Sequence, residues 1–169
     1  MIIKASIFLV VCFFSTALSI KPNFYWRDYD GTIPDDAIRG GKLNGKTTYI
    51  GLVATVEGPV SALIIPGDPK AYTTMDGKAV ISLKGAKILC TTVPCRFVWT
   101  KKLEDNCVYV TGSYIDSAAV YIGRATYEGN VVTGRTNFNL GSLYFPSQSP
   151  DWTYKRLPIE ECESLAYCE

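Results

Sequence analysis

The segment TTYIGLVATVEG, residues 47–58, is echoed by AAVYIGRATYEG at residues 118–129. Both segments contain Tyr-Ile-Gly and end in Glu-Gly, and a shift of 72 residues places Tyr49 on Tyr121. Further residues match at this shift or within a few positions of it: Ile38 with Val110, Gly40 with Gly112, and Trp26 with Trp99. The chain therefore contains two copies of a unit of about 70 residues.

Each copy has the composition of β-structure. Short segments rich in Val, Ile, Thr and aromatic residues alternate with turns that contain Gly, Pro, Asn and Asp. These segments are TTYIGLVATV, AVISL, RFVWT, CVYVTGSYI, AVYIGRATY and SLYF. No segment shows a helical stripe of apolar residues. The pattern predicts an all-β single domain, in which two pseudo-symmetric repeats form a sandwich-like or barrel-like core.

The first nineteen residues have the pattern of a secretory signal peptide. Lys4 precedes the apolar run SIFLVVCFFSTAL, and Ala17-Leu18-Ser19 then presents small residues at alternate positions. We expect cleavage near Ser19, which leaves residues 20–169 as a secreted, extracellular domain. The alternative is an uncleaved anchor, but the run is shorter than the ~20 residues that span a bilayer. We therefore expect no transmembrane anchor.

Composition argues against several classes of function. The chain has no histidine, so it lacks the usual general base near neutral pH and the partner of most Ser or Cys nucleophiles. Without the leader and its Lys4, basic and acidic residues are equal in number, which leaves no charge footprint for nucleic acid. The sequence predicts a protein that is not an enzyme and that needs no metal or other cofactor.

The order of the motifs resembles the DM-nine repeat family. Trp26 is followed by GTIPDDAIRGG, TYIGLV, a Pro-Gly with a basic residue, and a strand that ends in KILC. The second copy is similar in YIGRATYEG and TGRTNF. The resemblance implies one repeat over about residues 24–95 and a second over about 97–168. The family includes secreted insect and mollusc proteins and natterin-type fish toxins, and some members are mannose-binding lectins of innate recognition.

The resemblance also implies a set of candidate ligand residues. The sugar-binding relatives use an Asp just after the Gly-Gly turn and the Lys of a Pro-Gly-Lys motif. Here Lys42 and Leu43 follow Gly40-Gly41, so Asn44 is the nearest polar acceptor. The lysine motif reads PGDPK, which delays Lys70 by two residues.

In the second repeat, Arg135 of TGR occupies the basic position of that motif. The acid Asp116 of GSYIDS lies two residues beyond the expected acidic position. The predicted ligand-binding residues are therefore Arg135, Lys70, Asp116 and Asn44. The alternative is that all four are ordinary loop and turn residues. For Asn44 this alternative is concrete, because Asn-Gly is a strong hairpin signal that requires no ligand.

Five cysteines remain after the leader, and secretion favours disulfides. Cys90 and Cys162 occupy equivalent places in the repeats, and each has a second cysteine five or six residues later. The repeat therefore predicts the bridges Cys90–Cys95 and Cys162–Cys168, with Cys107 left free, buried or intermolecular. A bridge between the halves, such as Cys90–Cys168, is the alternative.

Two functions fit these observations. The first is a secreted, lectin-like recognition protein that binds glycans, either mannose-type or acidic, on microbial or host surfaces. The second is a secreted effector of saliva or venom that binds a host or prey protein. A dimer is compatible with both functions.

Overall fold

The computed structural model describes residues 21–56, 58–115, 118–137, 141–148 and 151–169. Within these ranges the regular structure is β-strand apart from two single 3₁₀ turns, and the all-β prediction is confirmed. The strands of the first repeat are β1 (Tyr25–Asp28), β2 (Arg39–Leu43), β3 (Lys46–Thr55), β4 (Gly58–Ile64), β5 (Ala71–Met75), β6 (Lys78–Ser82) and β7 (Lys87–Cys90). No helix in the described ranges is long and apolar enough to cross a membrane.

The second repeat follows the same order with one additional short strand. Its strands are β8 (Phe97–Thr100), β9 (Cys107–Tyr109), β10 (Thr111–Ile115), β11 (Ala118–Tyr127), β12 (Asn130–Asn137), β13 (Ser142–Gln148), β14 (Trp152–Pro158) and β15 (Glu163–Cys168). Two single 3₁₀ turns, Pro94–Arg96 and Ile159–Glu161, precede β8 and β15.

Strand register shows that the sequence repeat is also a structural repeat. In the first copy Gly51 of β3 lies opposite Ala62 of β4, and in the second Gly123 of β11 lies opposite Gly134 of β12. The hairpin turns Asn44-Gly45, Asp76-Gly77 and Glu128-Gly129 each consist of two left-handed residues. Such turns match the twist of paired strands. The two halves are therefore built alike, as the echo of Tyr-Ile-Gly predicts.

The two halves join in one continuous antiparallel sheet that does not close. Its longest path runs β6-β5-β4-β3-β2-β12-β11-β15-β8. The halves meet where β2 lies beside β12, with Lys42 opposite Val131. Gly41 allows this contact, because a Cβ there would overlap the carbonyl oxygen of Val131.

The main core lies between the repeats and uses equivalent residues from both. Its buried members include three pairs: Ile38 with Val110, Ile50 with Ile122, and Leu89 with Leu165. Each repeat also has a core of its own, which includes Ile64 and Ile88 in the first and Leu143 and Phe145 in the second. Burial of aliphatic and aromatic side chains provides the main stabilisation of such a fold.

The predicted cysteine pairing is wrong. Cys107 forms a disulfide with Cys168, whereas Cys90, Cys95 and Cys162 are free. Cys107 lies directly opposite Cys168 in the β9–β15 ladder, which brings the two side chains within bonding reach.

The pairing failed because Cys90 and Cys162 are not equivalent in the fold. Gly51 pairs with Ile88, but the equivalent Gly123 pairs with Ser164, four residues further along the chain. The second repeat therefore contains four additional residues before its last strand. The register equates Cys162 with Ala86, and each is buried in the separate core of its own repeat.

The three free thiols should differ sharply in reactivity. Burial raises the pKa of Cys90 and of Cys162 to about 11, so both thiols stay protonated at pH 8. Because the thiolate is the reactive species, iodoacetamide should label exposed Cys95 and leave the two buried thiols intact. Peptide mass spectrometry after native labelling tests this, with labelling in denaturant as the control. Native labelling of Cys90 as fast as of Cys95 would contradict the burial of Cys90.

Candidate functional site

Strand register places three polar and aromatic side chains in a row across the second repeat. Arg135 of β12 lies opposite Tyr144 of β13, and Tyr144 lies opposite Arg156 of β14. Residues directly opposite each other in an antiparallel sheet project from the same face. We call Arg135, Tyr144 and Arg156 the arginine–tyrosine row.

Both arginines of the row approach the ring of Tyr144. The guanidinium carbon of Arg135 is 5.6 Å from the ring centroid, and that of Arg156 is 5.8 Å away. The ring of Tyr154 stacks on Tyr144, with centroids 5.8 Å apart. These distances are typical of cation–π and offset aromatic contacts. Burial raises the pKa of Tyr154, although both arginines act in the opposite direction. Because the pKa is raised, the hydroxyl is neutral at pH 7 and can both donate and accept a hydrogen bond.

The two guanidinium groups differ in their hydrogen bonds. Arg156 Nε donates to Ser142 Oγ at 2.7 Å, which fixes that side chain along the edge strand. Arg135 Nε is buried and has no hydrogen-bond partner within the described part of the chain. A buried donor without a partner is costly unless something accepts from it. Arg135 therefore holds an unsatisfied charged donor beside an aromatic ring.

The equivalent row in the first repeat is apolar. Leu63, Tyr72 and Ile81 stand where the second repeat has the arginine–tyrosine row. Leu63 and Tyr72 pack in a cluster with Leu43, and Trp152 stacks on Tyr72 with centroids 3.8 Å apart. The candidate site is therefore confined to the second repeat.

Lys70 does not occupy the place equivalent to Arg135. Because Gly134 is equivalent to Ala62, Arg135 corresponds to Leu63, and the Pro66-Gly67 motif lies beyond the strand in a loop. Asp68 organises this loop: its carboxylate accepts from the Lys70 backbone N–H at 3.0 Å and from the Tyr72 hydroxyl at 2.5 Å. Burial and this bond raise the pKa of Tyr72. The motif Pro-Gly-Asp-Pro-Lys is thus a structural turn that holds Tyr72 under Trp152.

Asn44 serves the hairpin turn that its Asn-Gly pair predicts. Its φ angle is positive, and its backbone N–H donates to the side-chain oxygen of Asn130 at 2.7 Å. This bond joins a turn of the first repeat to a turn of the second. Asp116 lies outside the described residues. Of the four predicted ligand residues, the structure places Arg135 in the row and Lys70 and Asn44 in turns elsewhere.

The sequence motifs do not mark Tyr144, Tyr154 and Arg156 as partners of Arg135. They lie on two later strands, and only the β12–β13–β14 register brings them together. The sequence does contain one usable pattern, because residues two apart in a strand project from the same face. This pattern places Tyr144 with Pro146 in β13, and Tyr154 with Arg156 in β14.

Comparison with known proteins supports the family resemblance. Residues 42–154 match the model of the DM9 repeat. Among solved structures, the nematode sperm cell motility protein MFP2B is similar over 98% of this chain, with a TM-score of 0.62 and 13% identity. The matched region is 54% of that chain, so this protein spans about half its length. At this identity the likeness concerns the fold alone. No curated protein matches.

Proposed function

Because the chain belongs to the DM9 repeat family, we propose that it is a secreted, lectin-like recognition protein that binds carbohydrate at the arginine–tyrosine row. The family and the fold favour a non-enzymatic β-domain. A disulfide between Cys107 and Cys168 is typical of proteins from oxidising compartments, which agrees with the signal-like leader. The setting we propose is recognition of microbial or host surfaces.

The observation that carries this proposal is the unpartnered, buried Nε of Arg135 beside the ring of Tyr144. Sugars present C–H faces that pack on aromatic rings and hydroxyls that accept hydrogen bonds. A guanidinium donates in a fixed plane and can hold two adjacent oxygens. The row provides both kinds of contact side by side.

The composition of the row favours an acidic sugar over mannose. The row contains two guanidinium groups, and where the relatives have their acid the first repeat has Lys42 and Leu43, neither of which is acidic. A carboxylate on the ligand would supply the negative charge that the row itself lacks. We therefore place glycans that carry a uronic or sialic acid first among the candidate ligands.

Replacing Arg135 with alanine should abolish glycan binding and change stability little. The substitution removes a buried donor that has no partner, and this gain offsets the lost packing on Tyr144. The measurement is a glycan array with purified protein, followed by titration of the hits and thermal unfolding. Lys70→Ala should weaken binding far less, because Lys70 lies in the Asp68 turn.

Lys155→Ala is the matched control, because it removes one positive charge from the same strand as Arg156. Lys155 contacts the ring of Tyr127 and lies at the alternate position of β14, on the opposite face of the sheet. Glycan binding that survives Arg135→Ala undiminished would contradict the proposed site. If the wild-type protein binds no glycan, the effector that binds a host or prey protein becomes the better explanation.

A further inference from the structure

A second surface feature lies where the two repeats meet. One cleft of about 280 Å³ is lined by Arg39, Gly40, Gly41 and Lys42 of β2, together with Thr47, Arg124 and Val131. A neighbouring cleft of about 400 Å³ shares Arg124 and Val131 with it, and another of about 400 Å³ shares Arg39. The three clefts lie side by side through these shared lining residues, and we call them together the inter-repeat groove.

The centre of the groove is cationic. Arg39 and Lys42 from the first repeat are exposed, and Arg124 from the second repeat lines the same cleft. Among the described residues that line this central cleft there is no acid. Lys101 adds a further cation in the neighbouring cleft, where Glu161 and Glu163 also lie. Three cations from two repeats therefore face one small space.

Arg124 is held in a fixed position. Its guanidinium carbon lies 4.6 Å from the ring centroid of Trp99, and its Nε donates to Glu163 Oε2 at 2.7 Å. Among the described residues, Trp99 contacts the face of the Arg124 guanidinium and Glu163 accepts from its Nε, so the terminal nitrogens can donate to a ligand. An arginine stacked on an aromatic ring and held by a carboxylate is preorganised for this role.

The fold itself does not require this arrangement. The equivalents of Arg124 and Glu163 in the first repeat are Leu52 and Lys87, which pair at the same place in the β3–β7 ladder. An aliphatic residue therefore satisfies the structural role of this position. The stacked and paired arginine is an additional feature of the second repeat.

One end of the groove offers a surface for sugar rings. The lining of the cleft beyond Arg39 is mostly apolar and includes Phe97, Trp99, Ile38 and Leu165. Its one acid among the described residues is Asp35. Aromatic and aliphatic surface next to a row of cations suits a chain of sugar rings that carry charged esters. A free phosphate or sulfate ion would use only the central cleft, whereas a saccharide chain can use the whole length.

We propose that the inter-repeat groove binds a sulfated saccharide chain, with Arg39, Lys42 and Arg124 holding sulfate groups and the Phe97–Trp99 end receiving a sugar ring. The site is separate from the arginine–tyrosine row. It goes beyond the proposed function, because its ligand is recognised by ester sulfates and it uses residues of both repeats.

The test is titration of the full mature protein with a heparin-type sulfated oligosaccharide and with its desulfated counterpart. Arg39→Ala/Lys42→Ala should weaken binding of the sulfated form by at least about tenfold, a loss of about 1.4 kcal/mol for the exposed pair. Lys78→Ala/Lys84→Ala is the matched control: it removes two exposed cations at β6 and the turn after it, several strands away. This control should bind like the wild type. Affinity should also fall as salt is raised.

Arg124→Gln should weaken binding to a similar degree, and its thermal unfolding must be measured in parallel because Arg124 packs on Trp99. If the Arg124→Gln variant does not fold, the Arg39→Ala/Lys42→Ala variant still tests the proposal, because both of its residues are exposed. The proposal would be overturned by equal binding of the desulfated form, by an equal loss in the control pair, or by no binding at all. A loss in Arg135→Ala instead would assign sulfate binding to the arginine–tyrosine row.

Discussion

Replacing Gly41 with alanine should destabilise the protein by more than about 3 kcal/mol, a loss expected only of severe core or backbone disruption. A Cβ at Gly41 would overlap the carbonyl oxygen of Val131 and lie 2.9 Å from its carbonyl carbon. Both atoms belong to the backbone of β12, so no rotamer change can relieve the clash. Because Gly41 lies at the junction of β2 and β12, the repeats would have to separate there.

Gly112→Ala is the control for this prediction. Gly112 is also a β-strand glycine without a positive φ angle, and a Cβ there would lie 3.5 Å from Ser61 of the first repeat. A Cβ there would meet the side chain of Ile122 at 3.2 Å, a contact that a small shift can relieve. Urea unfolding of the two variants should show a large loss for Gly41→Ala and a much smaller one for Gly112→Ala. Equal midpoints would show that the close approach of the repeats is not needed for stability.

Much of the fold could be predicted from the sequence because local chemistry and the repeat agree. The Tyr-Ile-Gly echo marks β3 and β11, and the Asn-Gly pair marks the turn before β3. The apolar residues at matching positions become the shared core between the repeats. Each of these patterns either lies within a short segment or recurs in the second repeat at a nearly constant offset in residue number.

The errors arose where the shift between repeats changes along the chain. Matching Cys90 with Cys162 assumed one constant shift, but four additional residues precede β15. Lys70 was matched with Arg135 because Pro66-Gly67 resembles Thr133-Gly134. The strand register shows that Leu63, not Lys70, occupies the position equivalent to Arg135. When one sequence is compared with itself, a residue inserted in a loop cannot be distinguished from a substitution within a strand.

The candidate site shows the same dependence on register. Arg135 was predicted as a ligand residue, and its position in the motif sufficed for that. Its partners Tyr144 and Arg156 come from two further strands, and the apolar character of the equivalent row follows from packing with Trp152. The inter-repeat groove depends on contacts between the halves, which local sequence patterns do not encode.

Removing the Cys107–Cys168 disulfide should cost about 4 kcal/mol in the chain-entropy model, because the bridge closes a separation of 61 residues. It joins β9 to the end of β15 and so encloses most of the second repeat. Since either single substitution breaks the same bond, Cys107→Ser, Cys168→Ser and the double variant should lose nearly the same free energy of unfolding. Cys95→Ser is the control, because that thiol is exposed and free, and it should change stability by less than about 0.5 kcal/mol.

The cysteine pairing expected from the sequence would give different stabilities. With Cys162–Cys168 bridged and Cys107 free, Cys107→Ser would have a small effect, and Cys168→Ser would open only a short loop. Short loops constrain the unfolded chain less, so that loss would be about 2 kcal/mol. Urea unfolding of the two single variants therefore separates the pairings without peptide mapping. A Cys107→Ser protein as stable as Cys95→Ser would contradict the long-range bridge, and with it the assignment of β9 to the edge of the second repeat.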